Sequence, residues 1–281
     1  MRRSRTFIAL HTGFVAGFMV LASVAGAQVS DNFQSYAPGT LPSPKWLDAG
    51  AVLPTDRVPS FPSGYVINTT DAFGRPTKAV TTVGDVASSK GIFAYVPVST
   101  FYTLTVDARV DRYSDAPDGT ADDWAIQLAF GQNGVANWAY TPQVGIYASS
   151  ATKGWRLYAS AGASSADIDL GVAAVEGTWY TVSQSFDVLT GQFRSQIFDT
   201  ATGTTLVDQF NTVSGWDPTG VAFDSFAFFA GDLSANDRIG DIGVIDNVNV
   251  SAVTTPEPAS VLLLLTGIVP VVGVVRRRRR A

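Results

Sequence analysis

The feature that most constrains the fold is a series of short segments in which apolar and polar residues alternate. Phe101–Val110 shows the pattern most clearly, because every second residue from Tyr102 to Val110 is apolar. A period of two is typical of a strand with one buried face. No window of about 11 residues between positions 28 and 253 has the period of an amphipathic helix. The sequence therefore predicts an all-β domain.

More than ten such segments follow one another, separated by turns rich in Gly, Asp, Asn and Pro. Besides Phe101–Val110, strands are predicted at Tyr65–Ile67, Lys78–Val83, Ile92–Val96, Trp124–Phe130, Val144–Ala148, Trp155–Ala159, Trp179–Val188, Phe193–Phe198, Thr204–Val207, Phe223–Ala230 and Ile245–Val250. This many short strands without a dividing linker indicate two packed antiparallel sheets. We therefore expect residues 28–253 to form a single β-sandwich domain.

Three parts of this region resemble concanavalin-like, LamG-type jelly rolls of secreted bacterial proteins. They are Asp31–Pro42 with the nearby Trp46, Gly177–Val182, and Ile245–Val250. The resemblance implies an antiparallel two-sheet jelly-roll sandwich. That fold hosts lectins, adhesion modules, glycan hydrolases and lyases, so the resemblance alone does not decide the function.

The first 27 residues have the three parts of a secretory signal. A basic start with Arg2, Arg3 and Arg5 precedes the apolar stretch Phe7–Val24, and small residues follow at 25–27. This order predicts a signal helix that is removed by cleavage before Gln28. An uncleaved membrane anchor is the alternative.

The C-terminal end combines an apolar run with a basic cluster. Ala259–Val275 would span roughly 25 Å as a helix, close to the lower limit for crossing a bilayer. Each following arginine costs about 2.5–3.5 kcal/mol to insert, so the cluster should stay on the cytoplasmic side. These residues are Arg276, Arg277, Arg278, Arg279 and Arg280. The run is therefore a predicted transmembrane helix, with the β-domain outside.

Pro256, Glu257 and Pro258 stand directly before this helix. Tripeptide, helix and arginines together make residues 254–281 resemble the PEP-CTERM sorting signal of Gram-negative bacteria. The resemblance implies recognition by an exosortase, a cysteine protease of the inner membrane that cuts near the tripeptide. It also implies export to the cell envelope or extracellular matrix and a link to exopolysaccharide and biofilm.

Composition excludes several chemistries. The chain has no cysteine, and its single histidine, His11, lies in the predicted signal, so residues 28–255 lack imidazole and thiol nucleophiles and ligands. The two terminal segments hold eight of the 19 Lys and Arg residues but only one of the 24 Asp and Glu residues, which leaves residues 28–255 at a net charge of −12. A surface this acidic does not attract nucleic acid.

An acidic loop is the candidate metal site. Five aspartates fall between two predicted strands: Asp111, Asp115, Asp118, Asp122 and Asp123. Closely spaced carboxylates can supply the oxygen ligands that calcium requires, although the spacing is not that of an EF-hand. The alternative is a solvated loop in which aspartates favour turns. A second acidic segment, with Asp232, Asn236, Asp237 and Asp241, is a weaker candidate.

Aromatic residues are the candidate sugar platforms, because an aromatic face is apolar and suits stacking. Trp138 and Tyr140 lie in a loop-like segment, and Trp155 and Tyr158 fall on opposite faces of one strand. We expect Trp138, Tyr140 and Trp155 to stack against glycans. The alternative is that these aromatic residues fill the core.

These observations favour a non-catalytic module that binds extracellular polysaccharide or has a structural role. The alternative is a glycan-active enzyme, a glycosidase or lyase, with an aspartate-based site. Asp167 and Asp169 are candidates in a small-residue stretch that is typical of an exposed turn, and Glu176 is the only glutamate in residues 28–255.

Overall fold

The computed structural model describes the β-domain in seven stretches. They are residues 28–48, 64–83, 90–113, 124–132, 142–161, 164–230 and 241–253. The predicted signal and the predicted sorting segment lie outside these ranges, as do all residues of the acidic loop except Asp111. None of the described residues belongs to a helix long and apolar enough to cross a membrane.

All regular structure in the described ranges is β-strand. The strands are β1 (Gln28–Asp31), β2 (Leu47–Asp48), β3 (Gly64–Thr70), β4 (Pro76–Val83), β5 (Lys90–Tyr95), β6 (Phe101–Arg112), β7 (Trp124–Gly131), β8 (Gln143–Ser149), β9 (Gly154–Ala161), β10 (Ser164–Ala173), β11 (Trp179–Asp187), β12 (Gln192–Asp199), β13 (Thr205–Thr212), β14 (Ser225–Ala230) and β15 (Ile242–Val253). Every strand predicted from alternation is present. The all-β prediction is confirmed for these residues.

The strands form two antiparallel sheets. The eight-stranded sheet has the order β13-β12-β11-β6-β15-β4-β3, with β1 pairing with β15, and the seven-stranded sheet has the order β10-β9-β8-β7-β14-β5-β2. The chain changes sheet on both sides of β2, between β4 and β5, β5 and β6, β6 and β7, and again after β10, β13 and β14. This arrangement is a two-sheet antiparallel sandwich and is consistent with the expected jelly roll.

One continuous core lies between the sheets. The inward row of β6, from Tyr102 to Val110, is buried, as its alternation predicts. The Tyr102 ring packs 4.9 Å from the Phe130 ring, and its hydroxyl donates to the Phe223 carbonyl at 2.7 Å. Burial raises the pKa of Tyr102 to about 12, so this hydroxyl stays a donor at neutral pH. The bond ties β6 to the segment that leads into β14, deep in the core.

The residues after β1 are fastened to the sandwich by one carboxylate. Asp31 accepts hydrogen bonds from the Phe33 N–H at 2.9 Å, the Tyr36 hydroxyl at 2.9 Å and the Trp46 indole at 3.0 Å. Lys45 lies 3.3 Å from the same carboxylate. Trp46 is fully buried in the core. Asp31 therefore fixes the segment that covers this end of the core.

Strand β10 corrects one prediction. Asp167 and Asp169 lie on a strand and not in an exposed turn, and Arg156 on β9 pairs with both, at 2.6 and 3.8 Å. Ser and Ala differ little in hydrophobicity, so the sequence of β10 shows only a weak alternation of polar and apolar residues. The strand nevertheless forms because Ile168 packs against the core and the backbone pairs with β9.

Candidate functional site

The candidate site surrounds an irregularity in the central strand of the eight-stranded sheet. On one edge, β15 pairs with β4 through residues 242–245 and with β1 through residues 248–251. Between these two stretches its register with β6 shifts, from Asp246 to Asn249. Asn247 has φ 50°, a left-handed conformation that asparagine tolerates better than most residues. The bulge thus lies where one neighbouring strand gives way to the other.

Two carboxylates meet at this bulge. Asp107 on β6 is opposite Asp246 in the β6–β15 register. The Asn247 N–H donates to Asp246 Oδ1 at 2.8 Å, and the Asn247 side-chain amide donates to Asp107 Oδ2 at 2.8 Å. Hydroxyls satisfy the other two oxygens: Thr181 donates to Asp107 at 2.6 Å and Thr77 to Asp246 at 3.1 Å. Each of the four oxygens therefore accepts one hydrogen bond from an uncharged donor.

The described residues give this pair no cationic partner. No Lys or Arg in the described stretches forms an ion pair with Asp107 or Asp246. Asp246 is only 4% exposed. Burial raises the pKa of Asp246 to about 6, and the charge of Asp107 acts in the same direction. The site therefore holds a buried carboxyl group that titrates near neutral pH.

The β3–β4 hairpin places an aromatic ring beside the carboxylates. Asp71 accepts from the N–H groups of Phe73 and Arg75, both at 2.9 Å, and pairs with the Arg75 guanidinium at 2.6 Å. Gly74 has φ 75°, as this tight turn requires. The Arg75 bond lowers the pKa of Asp71, so the carboxylate stays ionised. The hairpin tip is thereby held in one conformation, with Phe73 60% exposed.

Trp179 forms a second wall. Its indole donates to the Thr70 carbonyl at 2.9 Å, and the Arg109 guanidinium lies 4.6 Å from its ring. Asp111 pairs with Arg109 through both carboxylate oxygens. Ala79 packs with Trp179 against the outer face of the sheet. These contacts hold the indole flat on the sheet next to β3.

Hairpin, bulge and indole border a small groove of about 60 Å³. It is lined by Asp71, Ala72, Phe73, Arg75, Asp107, Trp179, Thr200, Asp246 and Asn247, which we call the bulge groove. Three carboxylates and one guanidinium give the bulge groove a net charge of −2 when all are ionised. Asn247 also lines a wider polar depression of about 590 Å³ that extends toward Asp31, Asn32 and Asn249. The two depressions form a polar surface along β15.

The structure gives two of the predicted site residues different roles. Trp155 is fully buried and packs against Tyr180 in the core, with ring centroids 5.5 Å apart, so the prediction of a stacking platform at Trp155 is wrong. Tyr158, on the opposite face of β9, is only partly buried. Asp111 lies one residue before the end of β6 and is held by Arg109, so both of its oxygens already have a cationic partner.

Several predicted residues lie outside the described stretches: Asp115, Asp118, Asp122, Asp123, Trp138, Tyr140, Asp232, Asn236 and Asp237. Asp241 is described and buried. Within the described ranges, no group of three or more acidic side chains is placed to hold a metal ion. Glu176 accepts from the Tyr113 N–H at 2.7 Å and anchors the end of β6.

Sequence reasoning missed the bulge groove. Asp107 stood out only as a polar residue of an alternating strand, and nothing in the sequence pairs it with Asp246. Phe73 offered a signal of an exposed ring. It is an aromatic residue between Asp71 and Gly74, in a tight turn, where an apolar side chain is seldom buried.

A second aromatic cluster lies on the outer face of the seven-stranded sheet. The rings of Tyr147 and Tyr158 stack at 5.3 Å, and the Trp124 ring meets Tyr147 edge-on at 4.7 Å. Trp124 and Tyr147 are buried, and Phe93 and Phe229 belong to the same cluster. The rings of Trp124 and Tyr147 are therefore covered in this structure, unlike the ring of Phe73.

Neither a family model nor a curated protein matches the chain. Among solved structures, arcelin-5, a lectin-like defense protein from Phaseolus vulgaris, is 8% identical with a TM-score of 0.46 and covers 81% of this chain and 98% of its own. Cellulose induced protein Cip1 is 12% identical with a TM-score of 0.44, at 81% and 98% coverage. A sialidase is 10% identical with a TM-score of 0.39, and the match covers 66% of this chain and 17% of the sialidase. Identities and scores this low assign no activity.

Proposed function

We propose that the domain is a non-catalytic module that binds polysaccharide in the bulge groove. The observation that carries the proposal is the exposed ring of Phe73, held by the Asp71 hairpin at the edge of the groove. Sugar rings present apolar C–H faces that stack on aromatic side chains. Because Asp71 holds the backbone of the hairpin tip before a ligand arrives, little backbone entropy is lost on binding.

The groove also supplies hydrogen-bonding groups at fixed positions. Each carboxylate oxygen of Asp107 and Asp246 accepts one hydrogen bond, from Asn247, Thr77 or Thr181. The second lone pair of each oxygen can accept a bond from a ligand hydroxyl. Asn247 is exposed and lies between the two depressions. A groove continued by a second polar depression suits a chain of sugars better than a single small molecule.

The proposal is tested by incubating residues 28–255 with insoluble and immobilised matrix polysaccharides, with and without calcium. We expect retention on at least one polysaccharide and no release of reducing ends. Failure to bind any of them would refute the binding function and leave a structural role.

A glycan-cleaving enzyme is the second candidate, because two carboxyl groups line one groove and burial raises the pKa of Asp246 to about 6. A protonated Asp246 would serve as the acid and Asp107 as the second carboxylate. Reducing ends or unsaturated products that disappear in Asp246→Asn would favour this candidate over binding alone.

We further propose that the terminal segments place the domain outside the cell. The segment before Gln28 would direct export, and residues 254–281 would anchor the chain in the inner membrane until an exosortase processes it. The sequence order of Pro256–Pro258, apolar run and arginines supports this route. Pro258→Ala, or deletion of residues 276–280, should change the size or location of the mature protein, and an unchanged pattern would refute the sorting proposal.

A further inference from the structure

We infer that the polysaccharide bound in the bulge groove carries protonated amino groups. The inference rests on the proposed function and names the class of its ligand. It follows from the charges that face the groove and from the way in which each of them is satisfied.

The negative charge of the groove is concentrated on Asp107 and Asp246. Arg75, the one guanidinium in the lining, is already paired with Asp71 at 2.6 Å, so these two charges cancel. Within the described stretches, Asp107 and Asp246 receive hydrogen bonds only from Thr and Asn groups. The hydrogen-bond requirement of the pair is therefore met while its charge is not.

Burial makes that charge costly. An ionised carboxylate taken out of water is stabilised best by an opposite charge, and Asp246 is 4% exposed with Asp107 opposite it on the next strand. A sugar hydroxyl adds a hydrogen bond but no charge, and a sugar carboxylate adds repulsion. An ammonium group supplies three donors and a positive charge together, which matches two carboxylates whose second lone pairs remain open.

The net charge of the domain also favours a cationic ligand. Residues 28–255 carry a net charge of −12, which attracts a cationic polymer and repels an acidic one. The ring of Phe73 lines the same groove, which puts a stacking face and the two carboxylates on one surface. A polymer of partly or wholly deacetylated amino sugars has this chemistry.

The test compares glucosamine hexamer with N-acetylglucosamine hexamer, because acetylation removes the charge and keeps the sugar backbone. The full chain in detergent is titrated above about pH 6, where Asp246 is ionised, and below the pKa of the amines, at about 0.05 M and about 0.5 M salt. We expect the amine form to bind at least about tenfold more tightly at low salt, which is about 1.4 kcal/mol. High salt should reduce this preference.

Asp107→Asn and Asp246→Asn should each remove most of the preference for the amine. Asp208→Asn is the matched control, because Asp208 lies on β13 of the same sheet and is paired with Arg194 at 2.8 Å. The control should keep the preference. Melting curves identify any variant that fails to fold, and either groove variant alone is sufficient for the test.

The outcomes separate the inference from the function beneath it. Equal binding of both hexamers would overturn the inference and leave polysaccharide binding intact, whereas binding of neither hexamer nor any other glycan would refute the proposed function. A preference that survives both groove substitutions would place the charge recognition elsewhere. Calcium that displaces the amine hexamer from the native chain, but not from the variants, would assign the carboxylate pair to a metal.

Discussion

The domain displays an exposed phenylalanine beside an arginine–aspartate pair in two places, and the first of them lines the bulge groove. At the β3–β4 hairpin, Phe73 is 60% exposed and the Arg75 guanidinium lies 4.9 Å from its ring centroid. On β13, Phe210 is 77% exposed and the Arg194 guanidinium lies 5.2 Å from its ring centroid. Both arginines pair with an aspartate. Exposure of an aromatic ring therefore does not distinguish the two regions.

The surroundings of the two rings distinguish the two regions. The hairpin ring lines the bulge groove with Asp107 and Asp246. Phe210 lies on the edge strand of the sheet, and the arginine beside it, Arg194, is paired with Asp208. On this account, a binding site requires carboxylates without a cationic partner next to an aromatic ring, and an exposed ring alone is not sufficient. The following predictions are designed to break or sharpen that contrast.

The largest expected effect is on stability. The pKa of Asp246 is raised from 3.8 to about 6 in the folded protein, so the folded state binds the proton more tightly than the unfolded state. The contribution of Asp246 is therefore most favourable below about pH 4, is lost as pH rises to about 6, and is constant above that. In urea unfolding, the free energy of unfolding of Asp246→Asn, relative to that of the native chain, should rise by up to about 3 kcal/mol between pH 4 and pH 7.

Asp208 should behave in the opposite way. Its hydrogen bond with Arg194 lowers the pKa of Asp208, so its contribution is present at neutral pH and lost in acid. Asp208→Asn should therefore cost a small amount of stability at pH 7 and less at pH 3. The same pH trend in both variants would show that the two carboxyl groups have similar environments, against this account.

The second effect is on ligand affinity. Phe73→Ala removes the stacking face and should weaken binding of the retained polysaccharide about tenfold, whereas Phe210→Ala should leave it unchanged. Isothermal titration with the same oligosaccharide measures both. Equal losses in the two variants would mean that exposed rings contribute nonspecifically.

The smallest effect concerns the rigidity of the hairpin. Asp71→Ala removes the acceptor that holds the N–H groups of Phe73 and Arg75 and leaves the ring itself in place. Affinity should fall by about threefold, because the ring must then be ordered on binding. Amide exchange at residues 73 and 75 should accelerate in the variant. Unchanged exchange would show that Asp71 does not hold the tip.

The sequence predicted the strands better than it predicted the site. β6 was clear because its core row is uninterrupted, whereas β10 was mistaken for a turn because Ser and Ala alternate weakly. Trp155 was placed wrongly because alternation separates the two faces of a strand without telling which face is covered. The bulge groove was missed because Asp107 and Asp246 meet only through the pairing of β6 with β15, which local patterns do not encode.

The most direct test of the account locates the bound glycan on the protein. The tryptophan indole N–H signals can be followed by NMR during titration with the retained oligosaccharide. The account predicts that the signal of Trp179, which lines the bulge groove, shifts with saturation, while that of Trp124, on the opposite sheet, stays in place. A shift at Trp124 with none at Trp179 would contradict the assignment of the groove as the binding site.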